Sequence, residues 1–458
     1  MLAHVAFEHR ALRHDPQAAG PRGGSGPFND FGVDDIVPLV GGNPSSYGAL
    51  LNCVDAPPES SGLGRRPWPT AIVNRPHAPA AAPADRLLVR YRIETQAALI
   101  EARANALALE QSVEMPAEAI ADAAIRAAMP GRVEAIAPLP AEPGRPDAFE
   151  VDISLAAATI GDDPGQLLNM LFGNCSLQTD VRLVDARLPA SLLAALPGPA
   201  FGIEGLRAAC GAGRRPLSCT ALKPQGMTPA ALAELAGRFA RAGIDVIKDD
   251  HGIAQQAVAP FEARVPAVQR AIDEANRATG GRAIYAPNLA GGPGRLAAQL
   301  RVARDAGVGA LLACPMVVGA PVFAELLRAE AGVPLIAHPA LAGTAIAPPL
   351  LLGRLFRAFG ADATIFPNHG GRFGYSRATC EAIAAAAREP LGDLRPAMPV
   401  PAGGMRVDRV DEMLALFGLD TMLLIGGNLL EAGDGLEARA AAFATRVREA
   451  GDAGRIGP

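Results

Sequence analysis

From residue 205 onward the chain repeats one pattern: a short apolar run, a polar or glycine-rich break, then a longer stretch with apolar positions at helical spacing. The apolar runs begin near Pro216, Ile244, Arg282, Gly309, Pro334, Asp362, Met398 and Asp420. Helical spacing covers Thr228 to Ala242, Glu262 to Thr279, Arg295 to Ala306, Pro321 to Glu330, Pro349 to Phe359, Arg377 to Arg388, Val407 to Phe417 and Leu436 to Ala450. Eight alternating units joined by right-handed crossovers predict an α/β fold, a (β/α)8 TIM barrel over residues 201–458. Before it, Leu87 to Ile93, Arg132 to Leu139 and Ala148 to Leu155 read as strands, and Thr95 to Glu110 and Pro164 to about Phe172 as helices. These predict a small α+β domain over residues 86–200. Residues 1–85 carry little periodicity and much Pro, Gly, Ala and Ser, which predicts a disordered extension upstream of the folded chain.

Composition narrows the function classes. Half of the residues are hydrophobic, 4% are aromatic and the formal net charge is −5, so neither a nucleic acid nor a membrane surface is an expected partner. Cys53, Cys175, Cys210, Cys219, Cys314 and Cys380 are scattered, with no Cys-x-x-Cys pair. That usage fits reduced thiols and a cytoplasmic location. No apolar run approaches the roughly 18 to 20 residues of a membrane helix, and the N-terminus lacks a basic-then-apolar leader.

In a barrel the site lies at the C-terminal ends of the strands, and those ends carry the chemistry here. The first ends in Lys223-Pro224, the second in Lys248-Asp249-Asp250-His251, the third in Pro287-Asn288, the fifth in His338-Pro339. The sixth runs into Pro367 to Arg372, and the last two into Gly403-Gly404 and Gly426-Gly427-Asn428. Side chains alternate along a strand, so Lys248 and Asp250 share a face and His251 joins them only if the chain turns. This predicts a cation site; a surface cluster of charge pairs is the plainer alternative. Backbone N–H groups can approach a phosphate closely at the paired glycines, so a phosphorylated ligand is expected there, ordinary tight turns being the alternative. Lys223 is a candidate proton carrier or a second phosphate clamp, and His338 a candidate acid/base or a structural histidine.

Lys223-Pro224, Lys248-x-Asp250, Asn288, His338 and the two Gly-Gly turns resemble the large subunit of ribulose bisphosphate carboxylase, over about Arg86 to Gly435. The resemblance implies that Lys248 is carbamylated and binds Mg²⁺ with Asp250 and the following residue, here His251 instead of glutamate. An imidazole makes the site one charge less negative and more tolerant of transition metals. It also implies a homodimer with shared sites, Glu110 and Asn174 being contributed by the partner subunit. Several departures argue against carbon fixation. Gln225 stands for a second lysine, Pro339 for an arginine and Ala402 for a serine; Arg372 stands for the mobile lysine of the sixth-strand loop. The chain is thus similar to the RuBisCO-like proteins, form IV of that family.

Such a site stabilises an enediolate formed by loss of a proton or of carbon dioxide beside a carbonyl. The strings Ile247 to Gly252, Tyr285 to Asn288 and Ala361 to Asn368 look most like the group acting in apiose breakdown. The expected reaction is therefore decarboxylation, or carboxyl transfer and hydrolysis, of 3-oxo-isoapionate 4-phosphate. In it Lys223 protonates the enediolate, His338 and Asn288 orient its oxygens, and Gly403, Gly404, Gly426, Gly427 and Arg372 hold the substrate. An enolase or isomerase of a methylthio-sugar phosphate, and a non-catalytic sugar-phosphate sensor, are the alternatives.

Overall fold

The computed structural model describes residues 85–452 apart from Glu142, so the expected N-terminal extension lies, but for Asp85, outside the described residues. Four strands form an antiparallel sheet in the order β2-β3-β1-β4: β1 (Arg86–Glu94), β2 (Arg132–Pro138), β3 (Ala148–Ala156) and β4 (Val181–Arg187). Strict alternation along β1 buries Leu87, Val89, Tyr91 and Ile93 on one face, against Leu107 and Leu171 of the helices Ile100–Glu110 and Pro164–Phe172. On the other face Arg90 meets its cross-strand partner Asp152 at 2.7 Å. Strand β4 escaped the sequence reading. Its alternation is interrupted, because the β1–β4 register shifts between Arg90 and Tyr91.

The second sheet is parallel and closes on itself. Its strands are β5 (Leu217–Leu222), β6 (Val246–Asp249), β7 (Ile284–Ala286), β8 (Asn288–Leu289), β9 (Leu311–Ala313), β10 (Leu335–Ala337), β11 (Ala363–Pro367), β12 (Met398–Ala402) and β13 (Met422–Leu424). Strands β7 and β8 are one strand broken at Pro287, which has no N–H for the ladder. The first half pairs with β6 and the second with β9, while β13 pairs with β5. Eight strand positions therefore form a barrel, each starting where the apolar runs predict.

Parity along the strands sorts the core into two layers. Cys219, Val246, Ile284, Leu312, Ile336, Ile365, Val400 and Met422 fill the barrel's interior, and the helix Gly202–Cys210 stops its lower end with Ile203, Leu206 and Cys210. Asp362 fixes that helix by accepting the Phe201 and Gly202 N–H groups at 2.6 and 2.7 Å. Residues of the other parity pack outward beneath the crossover helices. Two of these depart from the predicted α-helix: Phe323–Leu327 and Pro349–Leu355 are π-helical, and the Leu352 carbonyl takes the Thr364 hydroxyl at 2.7 Å. Among the described residues no helix is long and apolar enough to cross a membrane.

Candidate active site at the barrel mouth

Strand β6 carries the chemistry because its parity changes role as it leaves the core. Val246 faces the interior, and two residues on Lys248 points the same way at the mouth, paired in register with Ala221 and Ala286. Its amine is buried and donates to the Asp249 carbonyl at 3.0 Å. Burial lowers the Lys248 pKa, against the opposing pull of Cys219 and Asp250. Asp250 follows at the strand's end, 3.1 Å from Lys223 Nζ and 3.7 Å from His251 Nδ1. Burial pushes its carboxyl up, but His251 and Lys223 outweigh that and hold it below the usual carboxylate range. The turn at His251 brings its ring over His338, stacked at 4.2 Å between centroids with 12° between planes.

His338 ends β10. Burial, reinforced by the nearby Lys248 and His251, pushes its pKa down to about 2, so the ring is neutral. The Ala340 N–H donates to Nδ1 at 3.2 Å, which assigns the ring proton to Nε2. Asn288, expected to orient substrate oxygens, has hydrogen bonds within the chain. Its amide hydrogens are spent on the His251 and Ile253 carbonyls at 2.8 and 3.1 Å, leaving only Oδ1, which is buried without a partner among the described residues. Asn288 thus holds the turn that carries His251.

Behind this group lies a buried triangle that the sequence reading passed over. Asp249 has the opposite parity to Lys248 and points outward. It meets Arg264 Nη2 at 3.1 Å and accepts the Tyr285 hydroxyl at 2.7 Å and the Asn288 N–H at 3.0 Å. Arg264 also donates to the carbonyls of Ala254 and Ala259, both at 2.8 Å, and so pins the loop that follows β6. Its signal in the sequence was a cation inside the apolar stripe Phe261, Val265, Val268.

At the last strands, Gly403 and Gly404 take φ of 82° and 65°, a region that favours glycine. A Cβ on Gly404 would lie 2.8 Å from Gly371 Cα, so the turns after β11 and β12 abut backbone to backbone. Around Gly426 and Gly427 no atom of the described residues, their chain neighbours apart, lies within 4 Å of where a Cβ would be, leaving room for a ligand oxygen. Arg372 is exposed and lies over the Phe373 ring at 4.9 Å. Glu110 and Asn174 are brought together away from the barrel strands, with the Asn174 amide donating to Glu110 at 3.0 Å.

The donor set is incomplete for a metal as the side chains stand. Among the described residues no three His, Cys, Asp or Glu side chains cluster to hold one. Asp250 and His251 supply two donors, and a carboxylated Lys248 amine would supply the third, an arrangement that the lowered Lys248 pKa suits.

The profile of the ribulose bisphosphate carboxylase large chain, catalytic domain, matches residues 202–347. The chain is 53% identical over 372 residues to the 5-methylthioribulose-1-phosphate isomerase of Rhodospirillum rubrum, covering 81% of this chain and 98% of that protein. It is 34% identical over 308 residues to the 2,3-diketo-5-methylthiopentyl-1-phosphate enolase of Geobacillus kaustophilus, covering 65% and 74%. The crystal structure of a RuBisCO-like protein from Rhodopseudomonas palustris is similar with a TM-score of 0.72 at 50% identity, over 80% of this chain and 98% of that one. Barrel, strand-end residues and near full-length likeness agree: the chain belongs to the ribulose bisphosphate carboxylase large-chain family, among its RuBisCO-like proteins.

Proposed function

We propose that this protein isomerises a methylthio-sugar phosphate of the 5-methylthioribulose 1-phosphate kind through an enediolate. The observation that carries this reading is the 53% identity to an isomerase so named over 98% of that protein's length. It displaces 3-oxo-isoapionate 4-phosphate as the preferred substrate, since both enzymes compared above are named for methylthio-sugar phosphates.

The reaction moves two protons. A base takes one from the hydroxyl-bearing carbon beside the keto group, its C–H electrons form the C=C bond and the carbonyl π electrons go to oxygen. The hydroxyl proton then passes to that oxygen as the former carbonyl carbon is protonated, leaving the keto group on the neighbouring carbon. Mg²⁺ held by Asp250, His251 and a carbamate on Lys248 would supply positive charge to the enediolate oxygens. Lys223, oriented by Asp250 at 3.1 Å, moves the carbon-bound proton. Neutral His338 donates its Nε2 proton to a substrate oxygen. Gly403, Gly404, Gly426 and Gly427 take the phosphate through backbone N–H groups, with Arg372 closing over it. The smallest active unit in this reading is a homodimer, with Glu110 and Asn174 of each copy completing the other's site.

The test is turnover by purified protein, incubated with bicarbonate and Mg²⁺, of 5-methylthioribulose 1-phosphate and of 3-oxo-isoapionate 4-phosphate, followed by proton NMR in deuterated water. Isomerisation of the first, with Lys223→Met slower by about 100-fold or more, is the expected outcome. Carboxylate loss from the second alone would restore decarboxylation, and silence on both the sugar-phosphate sensor.

A further inference from the structure

Among the described residues two that are not glycine take positive φ, Glu114 at 52° and Leu341 at 62°. The second is the odder, because a bulky aliphatic side chain has no local hydrogen bond to offset left-handed backbone. Leu341 is the third residue of the turn Pro339 to Ala342, closed by the Ala342 N–H on the Pro339 carbonyl at 3.0 Å. Glycine ordinarily fills that position. Here the residue stands 74% exposed, so no packing among the described residues explains it.

The turn is firmly held. Ala340, its second residue, donates to His338, and farther along the Ala345 carbonyl and the Ala347 N–H bridge to Leu183 of β4 at 3.0 and 2.8 Å. The segments after the strands on either side also show apolar side chains to solvent: Val317, in the short helix Pro315–Val318 after β9, 49% exposed, and Phe373 in the turn after β11, 57% exposed. Strand order therefore divides the mouth into three sectors. Lys223, Lys248, Asp250 and His251 lie at or after the ends of β5 and β6, the glycine turns follow β12 and β13, and the apolar residues follow β9 to β11, where His338 and Arg372 also lie.

We propose that Leu341, which follows the strand between those that precede Val317 and Phe373, is a specificity-determining residue that receives the methylthio end of the substrate. The inference rests on the methylthio-sugar phosphate reading. That substrate has three unlike parts, a phosphate, a keto and hydroxyl pair, and an apolar thioether, and the mouth has a sector suited to each. The left-handed turn serves to aim a side chain where glycine would offer none.

The experiment compares kcat/KM for 5-methylthioribulose 1-phosphate and for ribulose 1-phosphate, which carries a hydroxyl in place of the methylthio group, in wild type, Leu341→Gly and Leu341→Met. Glycine suits the backbone angle, so the fold is kept, and the melting temperature verifies it. The expected result is a fall of about tenfold in the methylthio-over-hydroxyl ratio for Leu341→Gly, carried by KM, with Leu341→Met near wild type. An active wild type and an unchanged ratio in Leu341→Gly would overturn the assignment alone. An unchanged ratio with a lower dimer fraction would place Leu341 in a subunit interface instead. Wild-type silence on the methylthio substrate would overturn the underlying reading and this inference with it.

Discussion

Replacing Arg264 by methionine tests what holds β6 in place. Arg264 is fully buried, as is Asp249, and the two meet at 3.1 Å with no solvent to screen them. Methionine fills much of the volume but leaves the carboxylate with the Tyr285 hydroxyl and the Asn288 N–H alone. Breaking a buried pair from one side costs about 3–5 kcal/mol, because the remaining charge is uncompensated. The Ala254 and Ala259 carbonyls lose their donor as well, at about 1 kcal/mol each. Arg264→Met should therefore lower stability by roughly 5–7 kcal/mol in urea unfolding followed by circular dichroism. Adding Asp249→Asn removes the stranded charge and should recover more than half of that loss. If the double variant were no more stable than Arg264→Met, stranded charge would not be the cause, and the triangle would be ordinary packing. A loss below about 1 kcal/mol in the single variant would refute the reasoning outright.

Three further outcomes follow from the site. Gly404→Ala places a Cβ 2.8 Å from Gly371 in a left-handed residue; it should raise KM for a phosphorylated substrate about tenfold and lower the melting temperature. Gly426→Ala, at φ −107° with no atom of the described residues, its chain neighbours apart, within 4 Å of the added Cβ, should leave the melting temperature unchanged. The folded protein holds His338 at about 2 against an ordinary 6.5, so below pH 6.5 the unfolded chain binds a proton that the folded one refuses. Stability then falls as pH drops, by up to about 1.4 kcal/mol per unit, and His338→Gln should flatten the slope of urea midpoints between pH 6.5 and 5.

The barrel was legible because its signals are local. Each strand is a short apolar run ended by Pro, Gly or charge, and each crossover keeps helical spacing over several turns. The mouth was legible for the same reason, since position at a strand's end is a property of sequence order. What escaped depends on contacts far apart in sequence. Nothing near Asn288 shows that its amide is consumed by the carbonyls of His251 and Ile253, thirty-seven and thirty-five residues back. Nothing near Leu341 reveals left-handed backbone, for leucine is a poor marker of a turn. In the proposed reading substrate choice depends on a few loop side chains, whereas the motif strings weighed for it lie at the ends of β6, β7 and β11.

The break at Pro287 ties folding to chemistry in a way that bears on how this protein can evolve. Where the strand changes neighbours, the Asn288 N–H goes to the Asp249 side chain, so the group that orders the mouth also joins the two halves of the ring. Variation at that join is selected twice, for a closed barrel and for an active mouth, and has little freedom. The loops after β10 and β11 follow strands that pair with neither half of that join and carry no such double duty. New substrates should be won there, with β6 and its partners left untouched.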